Sequence, residues 1–312
     1  MVKLKSSDSV AVTSRSFSQN EVLVNELKNH FSQVKLNETG ETLKGESLRI
    51  FLDNADKAII GIEEINKGLL SQLPKLKMIS KYGVGLNNID IEACKELGVE
   101  IAFTPGANKS SVAEFALLLI LNALRRIDSN KDEIINNHWS QQKGRGLLGK
   151  KIGILGMGNI GKELIKLLAP FNNEIFFYDQ VAQTVEVNKS IKISQVTLDE
   201  LLTNSEIISI HLPLTPETKN IINSEVLEKM KKDVILINTA RGGIVNEDSL
   251  FDFLKNYPKS FASFDVFEVE PAFDNKLLTL ENFFATSHRA SLSIDGILSM
   301  GRAAIRGLLK NE

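Results

Sequence analysis

One cysteine, no surplus of charge and no long apolar run mark this 312-residue chain. A lone Cys94 forms neither an intramolecular disulfide nor a thiolate metal cluster, and no charged leader with an apolar core opens the sequence, so a reducing cytoplasm is expected. The 37 basic residues nearly cancel the 39 acidic ones, for a net charge of −2. That balance lacks the electrostatic footprint of a nucleic-acid or anionic-membrane partner. Small molecules or copies of the chain itself are the expected partners. The longest apolar stretch, Phe115 to Leu121 with its extension to Leu124, falls far short of the roughly 18 residues a membrane span needs. It reads instead as a buried helix, with Ser111 and Glu114 at capping-box spacing in front of it.

What is present is apolar sequence, 43% of the chain, enough for about two domains at roughly 150 residues each. Short β-branched runs at Val10–Thr13, Val34–Leu36, Ala58–Ile60, Lys77–Ile79 and Val99–Ala102 read as strands. Helical stretches lie between them at Asn20–Phe31, Ser47–Asn54, Asn66–Leu73 and Asp90–Leu97, the last with Asp90 as N-cap and Gly98 as stop. Thr104-Pro105-Gly106 breaks the rhythm and suggests a hinge. From Lys151 the alternation restarts, with strands at Lys151–Leu155, Glu174–Tyr178, Ile207–Ile210, Val234–Ile237, Ser260–Phe264 and Asn282–Ala285. Two α/β domains with doubly wound parallel sheets are therefore expected. A helical tail, Leu292–Leu309, is too short to be a domain and must pack on one of them.

The strand Lys151–Leu155 leads into Gly156-Met157-Gly158-Asn159-Ile160-Gly161 and a helical stretch. Gly156 suits a tight turn, Gly158 the approach of a pyrophosphate, and Gly161 close packing of helix on strand. Amides near Asn159 and Ile160 at the helix start favour that anion. Eighteen residues past Gly161 stands Asp179, at the end of the next strand, where a carboxylate can take both ribose hydroxyls and repel a 2′-phosphate. Gln180, Val181 and Ala182 supply no arginine to welcome one. The expected cofactor is NAD.

Arg241, Glu270 and His288 each follow a strand of the second half, where open α/β sheets place their ligands. Each alone has a commoner structural explanation, as a surface ion pair, a loop acid and a satisfied loop histidine. Together they are coherent: a guanidinium holds a carboxylate and polarises a keto oxygen, a histidine passes a proton, and a carboxylate orients that ring. His30, closing an amphipathic helix, and His138, before Trp139, receive no role.

These motifs, with His211-Leu212-Pro213-Leu214-Thr215-Pro216-Glu217-Thr218, Asn238-Thr239-Ala240-Arg241-Gly242, Asp265 ahead of Glu270-Pro271, Tyr82-Gly83-Val84-Gly85-Leu86-Asn87-Asn88-Ile89-Asp90 and Thr104-Pro105-Gly106 through Glu114, resemble the D-isomer-specific 2-hydroxyacid dehydrogenase family. The resemblance spans nearly the whole chain. It implies a flavodoxin-like substrate-binding domain at 1–103 plus 291–312, a Rossmann NAD domain at 104–290 and a cleft between them. It implies Arg241 on the substrate carboxylate and keto oxygen, His288 as acid and base, and Glu270 as its partner. Asp265 would hold the nicotinamide carboxamide, Asn159, Ile160, Asp179, Pro213, Thr218, Thr239 and Ala240 would line the NAD, and the Val84 and Gly85 amides would meet the substrate carboxylate. A homodimer is also implied. The chain departs from the family pattern at Ser287, usually proline, at Arg289 and at Asn87.

Glu270 argues against a formate dehydrogenase, whose histidine partner bears an amide. Gly61-Ile62-Glu63 replaces the arginine that phosphoglycerate dehydrogenases tend to carry after the strand equivalent to Ala58–Ile60, leaving Arg15, in Ser14-Arg15-Ser16, as a source of charge for a phosphate or second carboxylate. The expected reaction interconverts a small 2-keto acid and its D-2-hydroxy acid, with 3-phosphoglycerate and glycerate or hydroxypyruvate as candidates. The alternative is an NAD(H)-responsive binding protein on the same fold, like the C-terminal binding protein corepressors.

Overall fold

Alternate residues of the apolar runs feed two cores, one on each face of a sheet. The computed structural model describes residues 5–128, 130–139, 141–181 and 192–309. The chain divides into two compact units, Met1–Asn108 with Ser293–Glu312, and Lys109–Leu292. The helix Lys109–Arg125 opens the second unit, so the Thr104–Asn108 turn stays with the first.

In the first unit the strands are β1 (Ser6–Val12), β2 (Phe31–Leu36), β3 (Lys57–Ile60), β4 (Met78–Lys81) and β5 (Glu100–Ala102). Their order is β2-β1-β3-β4-β5 with every neighbour parallel, the flavodoxin-like order. Ala11, Ala58, Ile60 and Ile79 enter one core, and Val10, Val12, Ile59 and Met78 the other. The expected caps of the fourth helical stretch are present: Asp90 accepts from the Ala93 amide at 2.9 Å, and Gly98 takes a φ of 71°. The tail forms the helix Ile294–Leu308, which lies on this unit's own sheet. A side chain at Gly307 would come within 2.4 Å of Ser80 Oγ and 3.0 Å of Ala102 Cβ, which is why the helix needs glycine there. Ser80 Oγ then donates to the Ala304 carbonyl at 2.7 Å.

The second unit contains β6 (Lys151–Leu155), β7 (Glu174–Tyr178), β8 (Lys192–Gln195), β9 (Ile207–Ile210), β10 (Ile235–Asn238), β11 (Phe261–Phe264) and β12 (Phe283–Ala285). The order is β12-β11-β10-β9-β6-β7-β8, again all parallel. Chain direction along the sheet reverses between β6 and β9, whose ends are paired at Leu155 and Ile210. Ligands of open α/β sheets bind at such a switch point.

Two expectations need correction. Ser111 is no N-cap: the helix begins at Lys109, and the Ser111 hydroxyl, buried within it, donates to the Ala290 carbonyl at 2.8 Å. A nearby carbonyl satisfies the hydroxyl better than the helix's own first turn. The capping box lies instead at Thr197 and Glu200, in front of Leu198–Asn204. The Asn66–Leu73 stretch is also mostly turn, with a helix only at Lys67–Leu70. β8 is a polar edge strand with exposed positions and lacks the apolar run that marks the other strands in the sequence.

Candidate active site

The glycine turn between β6 and the helix Asn159–Leu168 has the geometry its sequence requires. Gly156 has a φ of 98°, and a Cβ there would lie 2.7 Å from the His211 carbonyl oxygen. A Cβ on Gly161 would lie 2.3 Å from the Gly156 carbonyl oxygen, so helix and turn touch through backbone alone. Gly158 differs: nothing stands within 4 Å of its missing side chain. Its exposed backbone is thus open to an approaching anion, beside the amides that begin the helix at Asn159 and Ile160.

Asp179, just past β7, braces the same turn. Its Oδ2 accepts from the Met157 amide at 2.7 Å and its Oδ1 from the Val181 amide at 3.0 Å. A carboxylate has about four acceptor positions, so each oxygen keeps one for a ribose hydroxyl. Ala182 lies outside the described residues.

The loop after β9 is knitted by Thr218, whose hydroxyl donates to the Pro213 carbonyl at 2.6 Å and accepts from the Thr215 amide at 2.8 Å. His211 opens that loop. Its Nε2 meets Ser209 Oγ at 2.9 Å, while Nδ1, sealed from solvent, has no hydrogen-bond partner among the described residues. Burial pushes its pKa down to about 4. The unfolded chain, with a histidine near its usual 6.5, therefore binds more protons between those values, and stability falls as pH drops through that window. Wild-type protein should lose urea resistance between pH 6.5 and 5, above the range where carboxylates titrate, and His211→Gln should flatten that slope. Parallel midpoint-versus-pH curves for the two proteins would overturn this assignment.

After β10, Asn238 shapes the turn that carries Arg241. Its Oδ1 accepts from the Ala240 amide and its Nδ2 donates to the Arg241 carbonyl, both at 3.0 Å. Thr239 is buried with its hydroxyl unpartnered among the described residues. A Cβ on Gly242 would stand 1.9 Å from the Phe267 carbonyl, so the turn after β10 is pressed directly on the segment that leads to Glu270. Arg241 is half-buried and donates from Nη1 to the Ala240 carbonyl at 2.7 Å. Burial pulls its pKa down, and the Glu270 charge opposes that shift.

Glu270 and His288 meet at 2.8 Å, Oε2 to Nδ1. The other oxygen, Oε1, accepts from the Phe267 amide at 3.0 Å, which fixes the carboxylate. His288 has a φ of 50°, rare for a side chain with a Cβ. Asp265 holds it there. The Asp265 carbonyl accepts from the His288 amide at 2.8 Å; Oδ1 accepts from Thr286 Oγ1 and the Arg289 amide at 2.5 and 2.9 Å, and Oδ2 from the Ala290 amide at 2.8 Å. Asp265 is 1% exposed, and three of its four acceptor positions are already engaged. This anchoring adds to the cofactor contact that the resemblance implies for Asp265, and its only signal in the sequence is a position just past a strand and ahead of the histidine loop. Ser287 and Arg289 are exposed on either side.

Three expected residues belong to the first unit. Val84 and Gly85 lie in the half-buried loop after β4, beyond Gly83 with its φ of 127°. Arg15 is exposed, with Nη1 3.3 Å from the Gly40 carbonyl.

An open Gly158, the braced Asp179 and an unsatisfied Thr239 hydroxyl fit a dinucleotide at the switch point. The profile of the D-isomer-specific 2-hydroxyacid dehydrogenase NAD-binding domain matches residues 117–290. The chain belongs to that family. This dehydrogenase is 35% identical over 282 residues to the hydroxypyruvate reductase of Thermotoga maritima, covering 88% of its own length and 91% of that protein. It is 36% identical over 265 residues, 82% of the chain, to the D-3-phosphoglycerate dehydrogenase of Methanocaldococcus jannaschii, of which it spans only 50%. The solved structure of NAD+-bound 3-phosphoglycerate dehydrogenase from Entamoeba histolytica superimposes with a TM-score of 0.80 at 26% identity, covering 97% of this chain and 94% of that one. The dehydrogenase is an NAD-dependent enzyme interconverting 2-keto and D-2-hydroxy acids.

Proposed function

We propose that this dehydrogenase reduces a small 2-keto monocarboxylate, hydroxypyruvate or glyoxylate, to its D-2-hydroxy acid. The observation that carries the reading is the His288–Glu270 pair at 2.8 Å, with Arg241 on the adjoining turn. A bound NAD(H) would supply or accept the hydride at the substrate C2. Arg241 holds the carboxylate and stabilises the developing alkoxide. His288, protonated, gives its Nε2 proton to that oxygen, since Nδ1 is engaged by Glu270. In the oxidative direction the neutral ring takes the proton back. Gly158, Asn159 and Ile160 would receive the pyrophosphate on a turn whose shape depends on Gly156 and Gly161, Asp179 would take the ribose, and Pro213, Thr218, Thr239 and Ala240 would line the dinucleotide. The fourth acceptor position of Asp265 is left for the carboxamide. Val84 and Gly85 offer amides to the substrate carboxylate.

A phosphorylated substrate needs a further cation, and Arg15 is the residue proposed to supply it. The named relatives, reductases and dehydrogenases, lend nothing to the binding-protein alternative. NADH oxidation assayed with glyoxylate, pyruvate, hydroxypyruvate and 3-phosphohydroxypyruvate tests the reading. Turnover should be highest with hydroxypyruvate or glyoxylate. Preference for 3-phosphohydroxypyruvate would overturn the monocarboxylate assignment, and silence with all four alongside tight NADH binding would overturn the enzymatic one.

The homodimer belongs to the same proposal. Leu118, Ile127, Ile134, Ile135, Trp139 and Leu148 leave large apolar side chains exposed within one stretch of the second unit. Such a surface calls for a cover, and a second copy provides it. Sedimentation showing only monomer would refute this. A reducing compartment such as the cytoplasm suits a chain whose one cysteine is a buried thiol, and no described helix is long and apolar enough to cross a membrane.

A further inference from the structure

At the carboxyl ends of β1, β3 and β4 the first unit buries two opposite charges that the proposed reaction does not use. Glu63 is 3% exposed and Lys81 is 6% exposed. Gly61 links them: its amide donates to Glu63 Oε2 at 2.8 Å, and its carbonyl accepts from Lys81 Nζ. Thr13 Oγ1 donates to the same carboxylate oxygen at 2.8 Å. Asn88 closes the ring. Its Oδ1 accepts from Lys81 Nζ at 2.6 Å, while its Nδ2 donates to the Gly61 and Glu63 carbonyls at 3.2 and 2.6 Å.

Lys81 is the last residue of β4, and Asn88 stands at the far end of the loop that carries Gly83, Val84 and Gly85. The ring therefore ties both ends of that loop to each other and to the turn after β3. It also leaves little room to shift: a Cβ on Gly61 would lie 3.2 Å from Ser14 Cβ and 3.3 Å from Glu63 Oε2. Taking charges out of water is costly, and an apolar pair could fill the same space, so two buried charged side chains bridged by hydrogen bonds through Gly61 and Asn88 point to a need for one fixed geometry.

We infer that Glu63, Lys81 and Asn88 are positioning residues that set the loop of Val84 and Gly85 in the shape that receives the substrate carboxylate. The inference rests on the role proposed above for those two amides. Lys81 in this arrangement serves the loop, and is not a receptor for a distal phosphate.

The test compares wild type with Lys81→Met, Glu63→Gln and Asn88→Ala, using hydroxypyruvate and NADH, with hydrogen–deuterium exchange of the loop amides as an independent readout. Each variant should speed exchange over residues 83–88 at least tenfold and raise KM for hydroxypyruvate about tenfold. It should lower kcat less than threefold and leave NADH affinity unchanged. KM for 3-phosphohydroxypyruvate, where measurable, should rise by the same factor. A rise confined to the phosphorylated acid would show Lys81 to be a direct anion receptor and overturn the inference. Unchanged loop exchange in a folded variant would overturn the clamp itself. Faster exchange with unchanged KM would leave the clamp standing but refute the role of the Val84 and Gly85 amides, and with it the positioning function. Should Lys81→Met fail to fold, the near-isosteric Glu63→Gln carries the same comparison.

Discussion

Replacing His288 with alanine is expected to lower kcat by about a thousandfold, within the range for loss of a positioned general acid. NADH affinity should stay within about threefold, because the glycine turn and Asp179 are held by contacts that do not involve the ring. The variant carries a second, structural effect that has to be separated from the chemistry. Residue 288 is in the left-handed region, where alanine is less tolerated than histidine or asparagine, so His288→Ala adds backbone strain of roughly 1 kcal/mol. His288→Asn removes the acid while fitting that backbone. Both should therefore show a similar fall in kcat, while alanine alone lowers the melting temperature. A kcat within tenfold of wild type in the asparagine variant would sink the assignment of His288 as the acid. Glu270→Gln should fall less, by about tenfold to a hundredfold: an amide still reaches the ring but no longer supplies a charge to the imidazolium.

The sequence made the sheets legible because both faces of each are covered. Strands such as β9 and β10, buried along their full length, appear as short runs of mostly isoleucine and leucine, and their ends then point to the functional turns. Glycines were readable for the same reason, since backbone contacts at Gly156 and Gly161 leave no other residue possible. Ser111 and Asp265 were harder. A hydroxyl near a helix start has an obvious local partner in sequence, yet its actual partner, Ala290, is remote along the chain. Asp265 likewise acts through Thr286, Arg289 and Ala290, and nothing local reveals that a strand-end carboxylate will be spent on a distant loop. The ring of Glu63, Lys81 and Asn88 is the extreme case. Charged residues at strand ends ordinarily read as solvated, and it takes the parallel pairing of β3 with β4, and the bridge of Ile65 to Ile89, to bring them within reach of the same Gly61 and Asn88.

Arg241 should be the other residue whose loss nearly abolishes turnover, but with a different kinetic signature. Its guanidinium is partly withdrawn from water, and one of its five donors is committed to the Ala240 carbonyl. The remaining donors suit a carboxylate and a keto oxygen at once. Removing a buried charged partner costs about 2–5 kcal/mol, so Arg241→Gln should reduce kcat/KM by about a thousandfold. Loss of the carboxylate contact weakens ground-state binding and raises KM. Loss of charge opposite the developing alkoxide lowers kcat. Arg241→Lys keeps the charge but not the planar fork, so it should recover part of kcat and little of KM. His288→Asn predicts the contrasting pattern, a fall in kcat with KM nearly unchanged. Combining Arg241→Gln with His288→Asn should cost less than the product of the two single effects, because proton delivery and alkoxide stabilisation serve one oxygen atom. Full multiplicativity in the double variant would show that the two side chains act on different atoms or different steps, and the assignment of both to the C2 oxygen would fail.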